Sequence, residues 1–270
     1  MKEKNYYSEP IYIFWTGGYD STFRLCQLLI KYRKKVQPIY ISDKYIDNYK
    51  SNNTRRKNHT HEFNSQEKII ENLHKTFPFT KDLLYETLVI NNVKYDNEIL
   101  KSMKEFKKKK YVRRARCQYG AMAQITKNLN EYIELCAETG GFLHKKLNKK
   151  MKCNTKNCNY RDYVFDTQLH SELKMFDKFV LPIIDYTKKD MFDEAKKYKY
   201  EHILYKTWSC WYPKKGKPCG RCTMCKHRYV PYKEHFQNNN ITSDIGDNTI
   251  HNFIYVILLI LFIILFIFLK

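Results

Sequence analysis

Residues 11–15 form a continuous apolar run, Ile11, Tyr12, Ile13, Phe14 and Trp15, that stops at a pair of glycines. A short run of this kind, bounded by a turn, predicts a buried strand. From 21 to about 34 the apolar residues Phe23, Cys26, Leu29 and Ile30 fall on one side of a predicted helix, and 36–42 predicts a second strand. Strand, helix and strand in this length imply parallel pairing through a right-handed crossover. The pattern goes on with a polar loop at 43–61, a helix at 62–77 and a strand at 84–90. A lysine-rich helix at 96–110 and a better-patterned helix at 112–129 follow, then a strand at 132–137. The stretch 144–166 is basic and without period, and predicts an inserted irregular loop. A strand at 179–184 leads to a helix opened by Thr187, with Asp190 three residues on as part of a capping box. The fold class expected is therefore α/β: a doubly wound, mostly parallel five-stranded sheet, with ligands at the C-terminal ends of its strands.

The pattern changes near the end of the chain. Residues 201–236 carry clustered cysteines, 237–252 are polar, and 253–269 contain no charge and no side-chain amide. A spanning helix needs about 20 apolar residues, with about 17 as the short limit. The last segment therefore predicts a single-pass C-terminal transmembrane helix. It would anchor the protein in a membrane, with the preceding domain (1–200) in the cytosol and 237–252 as linker.

Two motifs carry chemistry. Directly after the first strand stands TGGYDST, residues 16–22. Glycines let the backbone approach a phosphate, and a helix start points its positive dipole end at the anion. Thr16, Gly17, Gly18, Asp20, Ser21 and Thr22 are the candidate ATP-binding residues, with Asp20 and Ser21 the candidate catalytic pair. Asp20 would hold Mg²⁺, since a carboxylate repels phosphate but ligates the cation that bridges to it. The second motif is Cys210, Cys219, Cys222 and Cys225, spaced C-x8-C-x2-C-x2-C. Four thiolates around one point suit tetrahedral zinc, and four protein ligands leave no open position, so the site is structural in kind.

Both motifs resemble the PP-loop ATP pyrophosphatases, whose loop reads SGGxDS, and within them the 7-cyano-7-deazaguanine synthase family. Two stretches carry the resemblance: FWTGGYDSTFRL, and LPIIDYTKKDMFDEAKKYKYEHILYKTWSCWYPKKGKPCGRCTMCKHR. Thr16 replaces the family's first serine and keeps the hydroxyl. The resemblance implies a ligase that adenylates the carboxylate of 7-carboxy-7-deazaguanine with ATP. Ammonia then displaces the activating group, and a further activation with loss of water gives the nitrile. Two other readings stay open: a PP-loop enzyme that adenylates a tRNA base or another small substrate, and a non-catalytic, membrane-tethered nucleotide-binding protein.

Composition changes this picture little. The net charge of +21 over 270 residues invites a nucleic-acid partner. Lysine, asparagine, isoleucine and tyrosine are abundant along the whole chain, so compositional drift accounts for the charge without one. A nucleic-acid partner is left open and is not favoured, and an oligomer is left open. The nine cysteines, with four at metal spacing and a polar, charged start at 1–10, fit a reducing compartment better than a disulfide framework. Arg116, among the basic residues before a helix, and Glu138, just past a strand end, are the candidate substrate contacts. Cys117 and Cys136 read as buried thiols. Cys153 and Cys158 offer two ligands, which do not make a site. Trp208 and Trp211 flank Cys210 and read as packing around the metal, or as a platform for a purine.

Overall fold

The computed structural model describes residues 9–42, 58–108, 116–153 and 163–229. In chain order its main elements begin with β1 (Ile11–Phe14), α1 (Tyr19–Cys26), which runs on as a π-helical turn (Gln27–Lys31), β2 (Val36–Ile41), α2 (His59–Thr76) and β3 (Leu88–Ile90). Then come α3 (Asn97–Lys108), α4 (Arg116–Leu129), β4 (Ile133–Glu134), α5 (Phe142–Leu147), β5 (Met151–Cys153) and β6 (Tyr163–Phe165). The last are β7 (Phe179–Val180), α6 (Lys188–Lys197), α7 (Glu201–Leu204) and α8 (Thr223–Tyr229).

Five strands make one sheet in the order β3-β2-β1-β4-β7, and every pairing in it is parallel. Strand order reverses on either side of β1, so the loop leaving β1 opens at the crevice where such sheets bind ligands. Alternation along β1 sends Ile11, Ile13 and Trp15 into the core under α1, α2, α6 and α7. Phe14 goes to the opposite core, with side chains of α3, α4 and α5. Both faces are thus covered, as an all-parallel sheet requires.

The helix after β1 starts at Tyr19, two residues earlier than the sequence pattern places it. The capping box at α6 is complete: Thr187 Oγ1 accepts from the Asp190 amide at 3.1 Å, and Asp190 Oδ2 accepts from the Thr187 amide at 2.9 Å. The basic stretch 144–166 is not wholly irregular. It contains most of α5 and both strands of an antiparallel pair, with Met151 opposite Phe165; residues 154–162 lie outside the described ones.

One expectation is overturned. Among the described residues no helix is long and apolar enough to cross a membrane. The longest, α2 at 18 residues, is amphipathic and carries Glu62, Glu67, Lys68 and Glu71. The transmembrane helix placed at 253–269, and the membrane localisation that rested on it, are corrected accordingly. That segment and 237–252 lie outside the described residues.

Candidate active site

The loop from β1 to α1 is bent by Gly17, whose φ of +70° is left-handed. A Cβ there would also stand 3.1 Å from the Glu62 carbonyl and 3.2 Å from Gln66 Cγ, so α2 leaves no room for a side chain. Three bonds hold the bend. Gln66 Nε2 donates to the Trp15 carbonyl at 3.0 Å, Trp208 N donates to the Gly17 carbonyl at 2.9 Å, and Trp15 Nε1 donates to Thr22 Oγ1 at 3.0 Å. Ser65 Oγ lies 3.3 Å from the Gly17 carbonyl and donates to that of Lys206 at 2.7 Å. Gly18 is the N-cap of α1 and brings no side-chain acceptor to its first amides.

A cavity of about 430 Å³ opens over this loop. Thr16 and Gly18 line it from the loop, Tyr19, Asp20 and Ser21 from the first turn of α1, Cys136, Ala137 and Glu138 from the segment after β4, and Lys188 from the start of α6. Gly17 shapes the turn from behind. Thr22 is fully buried and is not among the residues that line the cavity; its hydroxyl accepts from the indole of Trp15. Arg116 opens α4; its side chain and the preceding basic residues 109–115 lie outside what is described.

The charged centre of the cavity is Lys188. Its ammonium lies 2.8 Å from Glu138 Oε2 and also contacts Asp20 Oδ1, and it stands 5.0 Å from the centre of the Tyr19 ring. Burial pulls the Lys188 amine down to about 7 and pushes the Glu138 carboxyl up to about 7. Sequence reasoning missed Lys188. In a chain with 49 lysines and arginines one more lysine carries no signal, although its place just after a strand end and a helix cap was available as one.

Behind the cavity a buried polar chain fixes the elements that supply these groups. Arg24 Nε and Nη2 donate to the two oxygens of Glu134 at 2.9 and 2.6 Å. Arg24 Nη1 donates to Gln27 Oε1 at 2.5 Å, and Gln27 Nε2 donates to Glu194 Oε1 at 2.7 Å. The chain thus links α1, β4 and α6; Asp20 is on α1, Lys188 is on α6 and Glu138 is in the segment after β4.

The four cysteines converge. Their sulfurs all lie within 4.8 Å of one another, and Cys219 Sγ is 4.0 Å from Cys225 Sγ. Tetrahedral bonds of about 2.3 Å to one ion put sulfurs about 3.8 Å apart, so the spacing suits a single ion. The Cys219 and Cys225 amides donate to Cys210 Sγ at 3.2 Å and Cys222 Sγ at 3.5 Å. The Arg221 amide is the chief cause drawing the Cys219 thiol down to about 6. Burial pushes Cys225 up, which a bound cation would reverse. Trp208 joins this lobe to the loop. Its amide holds Gly17, its indole N–H donates to the Cys210 carbonyl at 2.9 Å, and its ring stacks on His61 at 4.3 Å and 11°.

Residues 11–236 match the family described as queuosine biosynthesis protein QueC. Among curated proteins the chain is similar to the 7-cyano-7-deazaguanine synthase of Prochlorococcus marinus strain NATL1A, 42% identical over 57 residues, which cover 21% of this chain and 24% of that protein. The synthase of strain NATL2A is 40% identical over 57 residues, 21% and 24% of the two chains. That of strain MIT 9215 is 38% identical over 63 residues, 23% and 27%. The matched stretch spans about a quarter of these relatives' length. Among solved structures, the U34-tRNA thiolase NcsA from Methanococcus maripaludis with its 4Fe-4S cluster has a TM-score of 0.36 and 10% identity, over 85% of this chain and 66% of that one.

Proposed function

Because the chain belongs to the queuosine biosynthesis protein QueC family, we propose that it is an ATP-dependent carbon–nitrogen ligase that converts 7-carboxy-7-deazaguanine and ammonia to 7-cyano-7-deazaguanine. The observation that carries this reading is the convergence of the glycine loop, Asp20, Glu138 and Lys188 on one cavity. A carboxylate is a poor electrophile. Transfer of AMP to it forms a C–O–P link, releases pyrophosphate and supplies a leaving group. The protein's part is positioning and charge neutralisation.

In this reading the Gly18 turn, Thr16 and Ser21 give donors to the phosphates, and the narrow backbone at Gly17 and Gly18 lets them close. Asp20 would hold Mg²⁺, which supplies positive charge to departing pyrophosphate. Lys188 Nζ neutralises charge between the phosphates and the substrate carboxylate. Glu138 accepts the proton that ammonia must lose once it has attacked the acyl carbon and AMP has left. A second activation at the amide oxygen, followed by loss of AMP and a proton, yields the nitrile. The cysteine lobe holds one zinc ion through Cys210, Cys219, Cys222 and Cys225, and through Trp208 it clamps the loop.

The test is mass spectrometry of the full chain given ATP, Mg²⁺, ammonium and 7-carboxy-7-deazaguanine. The nitrile together with AMP is the expected result. Nucleotide turnover only with a different acceptor would overturn the substrate, and no nucleotide binding would overturn the enzyme.

A further inference from the structure

The cysteine lobe carries an exposed surface beside the cavity. From Lys206 to Arg228 the sequence holds seven lysines and arginines and no aspartate or glutamate. Residues 139–161 likewise hold seven lysines and arginines and no carboxylate, so charge alone does not distinguish the lobe; the lobe is distinguished by what its cations stand beside. Its tip is a tight hairpin in which Lys214 and Lys217 exchange backbone bonds of 3.0 and 2.9 Å. Lys215 and Gly216 both take left-handed φ there, at 47° and 77°. Lys214, Lys215, Lys217 and Arg221 are all exposed. Beside them Trp211 and Tyr212 are 49% and 58% exposed, two adjacent aromatic rings open to solvent.

We propose that this face of the cysteine lobe is a docking surface for single-stranded RNA. Exposed aromatic rings next to a fixed array of cations match unstacked bases on a phosphate backbone. An anionic lipid surface fits less well, because the lobe exposes no large aliphatic side chain among its described residues, whereas surface-binding segments bury an apolar face. Unstacked bases are the ordinary state of RNA loops and ends, which favours RNA over DNA as occupant. Trp211 also lines the cavity, with Met224 and His227, so a strand stacked on the lobe would run to the cleft. The proposal does not depend on the reaction assigned above.

The experiment is fluorescence anisotropy of the zinc-loaded full chain with labelled twelve-nucleotide oligo(U), over a range of KCl. Four phosphate contacts give a log–log salt slope of about −3. Trp211→Ala with Tyr212→Ala should weaken binding about ten-fold or more, and Lys214→Glu, Lys215→Glu and Lys217→Glu together should abolish it. Zinc content and thermal midpoint should hold in both variants, since these side chains are outside the core. The charge-matched control Lys101→Glu, Lys104→Glu and Lys108→Glu on α3 should stay within about two-fold, because it leaves the local array of cations intact. Four outcomes would overturn the proposal: an equal loss in that control, no binding of oligo(U), oligo(dT) bound as tightly as oligo(U), or binding to phosphatidylserine vesicles alone.

Discussion

The Lys188 ammonium lies 2.8 Å from Glu138 Oε2 and touches Asp20 Oδ1, so the first turn of α6, the segment after β4 and the first turn of α1 meet at one nitrogen. Removing that nitrogen removes the cation from the only charged cluster the cavity shows among its described lining residues. Lys188→Met should lower ATP turnover by about 10²–10³-fold, the usual effect of losing one preorganised charge-stabilising group. Its circular dichroism and zinc content should match those of the unaltered protein. Turnover within about three-fold of normal would show that the reacting phosphate sits elsewhere, since the loss of a group at the reacting centre costs far more than that.

The two glycines of the loop should behave differently. Gly17 has a left-handed φ and is crowded by backbone and side-chain atoms of α2, whereas a Cβ at Gly18 would meet mainly the Thr16 hydroxyl at 3.1 Å. Gly17→Ala should destabilise the fold by about 1–2 kcal/mol from backbone strain alone, read as a lower urea midpoint. Gly18→Val should leave that midpoint nearly unchanged and weaken ATP binding in calorimetry. The reverse ranking would mean that the turn and the phosphate contacts are misassigned.

The fold was legible where local pattern is strong. The apolar run of β1 and the Thr187–Asp190 cap each appear in a few consecutive residues and the cysteine spacing within sixteen, and each is found where the sequence places it. What escaped depends on distance along the chain. Asp20 and Lys188 are separated by 168 positions and Arg24 and Glu134 by 110, and nothing local marks either pair. The strand pair β5–β6 inside the basic stretch escaped for the same reason, since its register joins Met151 to Phe165. Thr22 reads as a phosphate donor by composition, and the structure instead turns its hydroxyl to the Trp15 indole. An apolar run at 253–269 satisfied a length rule and led to a membrane helix that the described fold does not contain.

Metal removal should be felt in the loop. The lobe reaches Gly17 through Trp208, whose indole bonds the Cys210 carbonyl. Elemental analysis should give one zinc per chain, largely lost in Cys222→Ser. ATP affinity should fall about ten-fold in the same variant, equal to about 1.4 kcal/mol of lost support. Full zinc occupancy in Cys222→Ser would remove this cysteine from the ligand set.

The buried pair Arg24–Glu134 has side chains only 3% and 4% exposed. Breaking it should be costly, because the remaining charge is stranded. Arg24→Met should lose about 3–5 kcal/mol in urea unfolding. The double replacement Arg24→Met with Glu134→Leu should recover part of that loss, since no charge is left behind. A double variant less stable than either single one would show that the pair contributes more than mutual compensation.

The central claim is adenylation of a carboxylate in this cleft, and oxygen tracing tests it most directly. The substrate, 7-carboxy-7-deazaguanine, is labelled with oxygen-18 in both carboxylate positions and incubated with the full chain, ATP, Mg²⁺ and ammonium. If the carboxylate attacks the α-phosphorus, the AMP released must carry a substrate oxygen and the nitrile must carry none. Unlabelled AMP, or ADP and phosphate in place of AMP and pyrophosphate, would contradict the account.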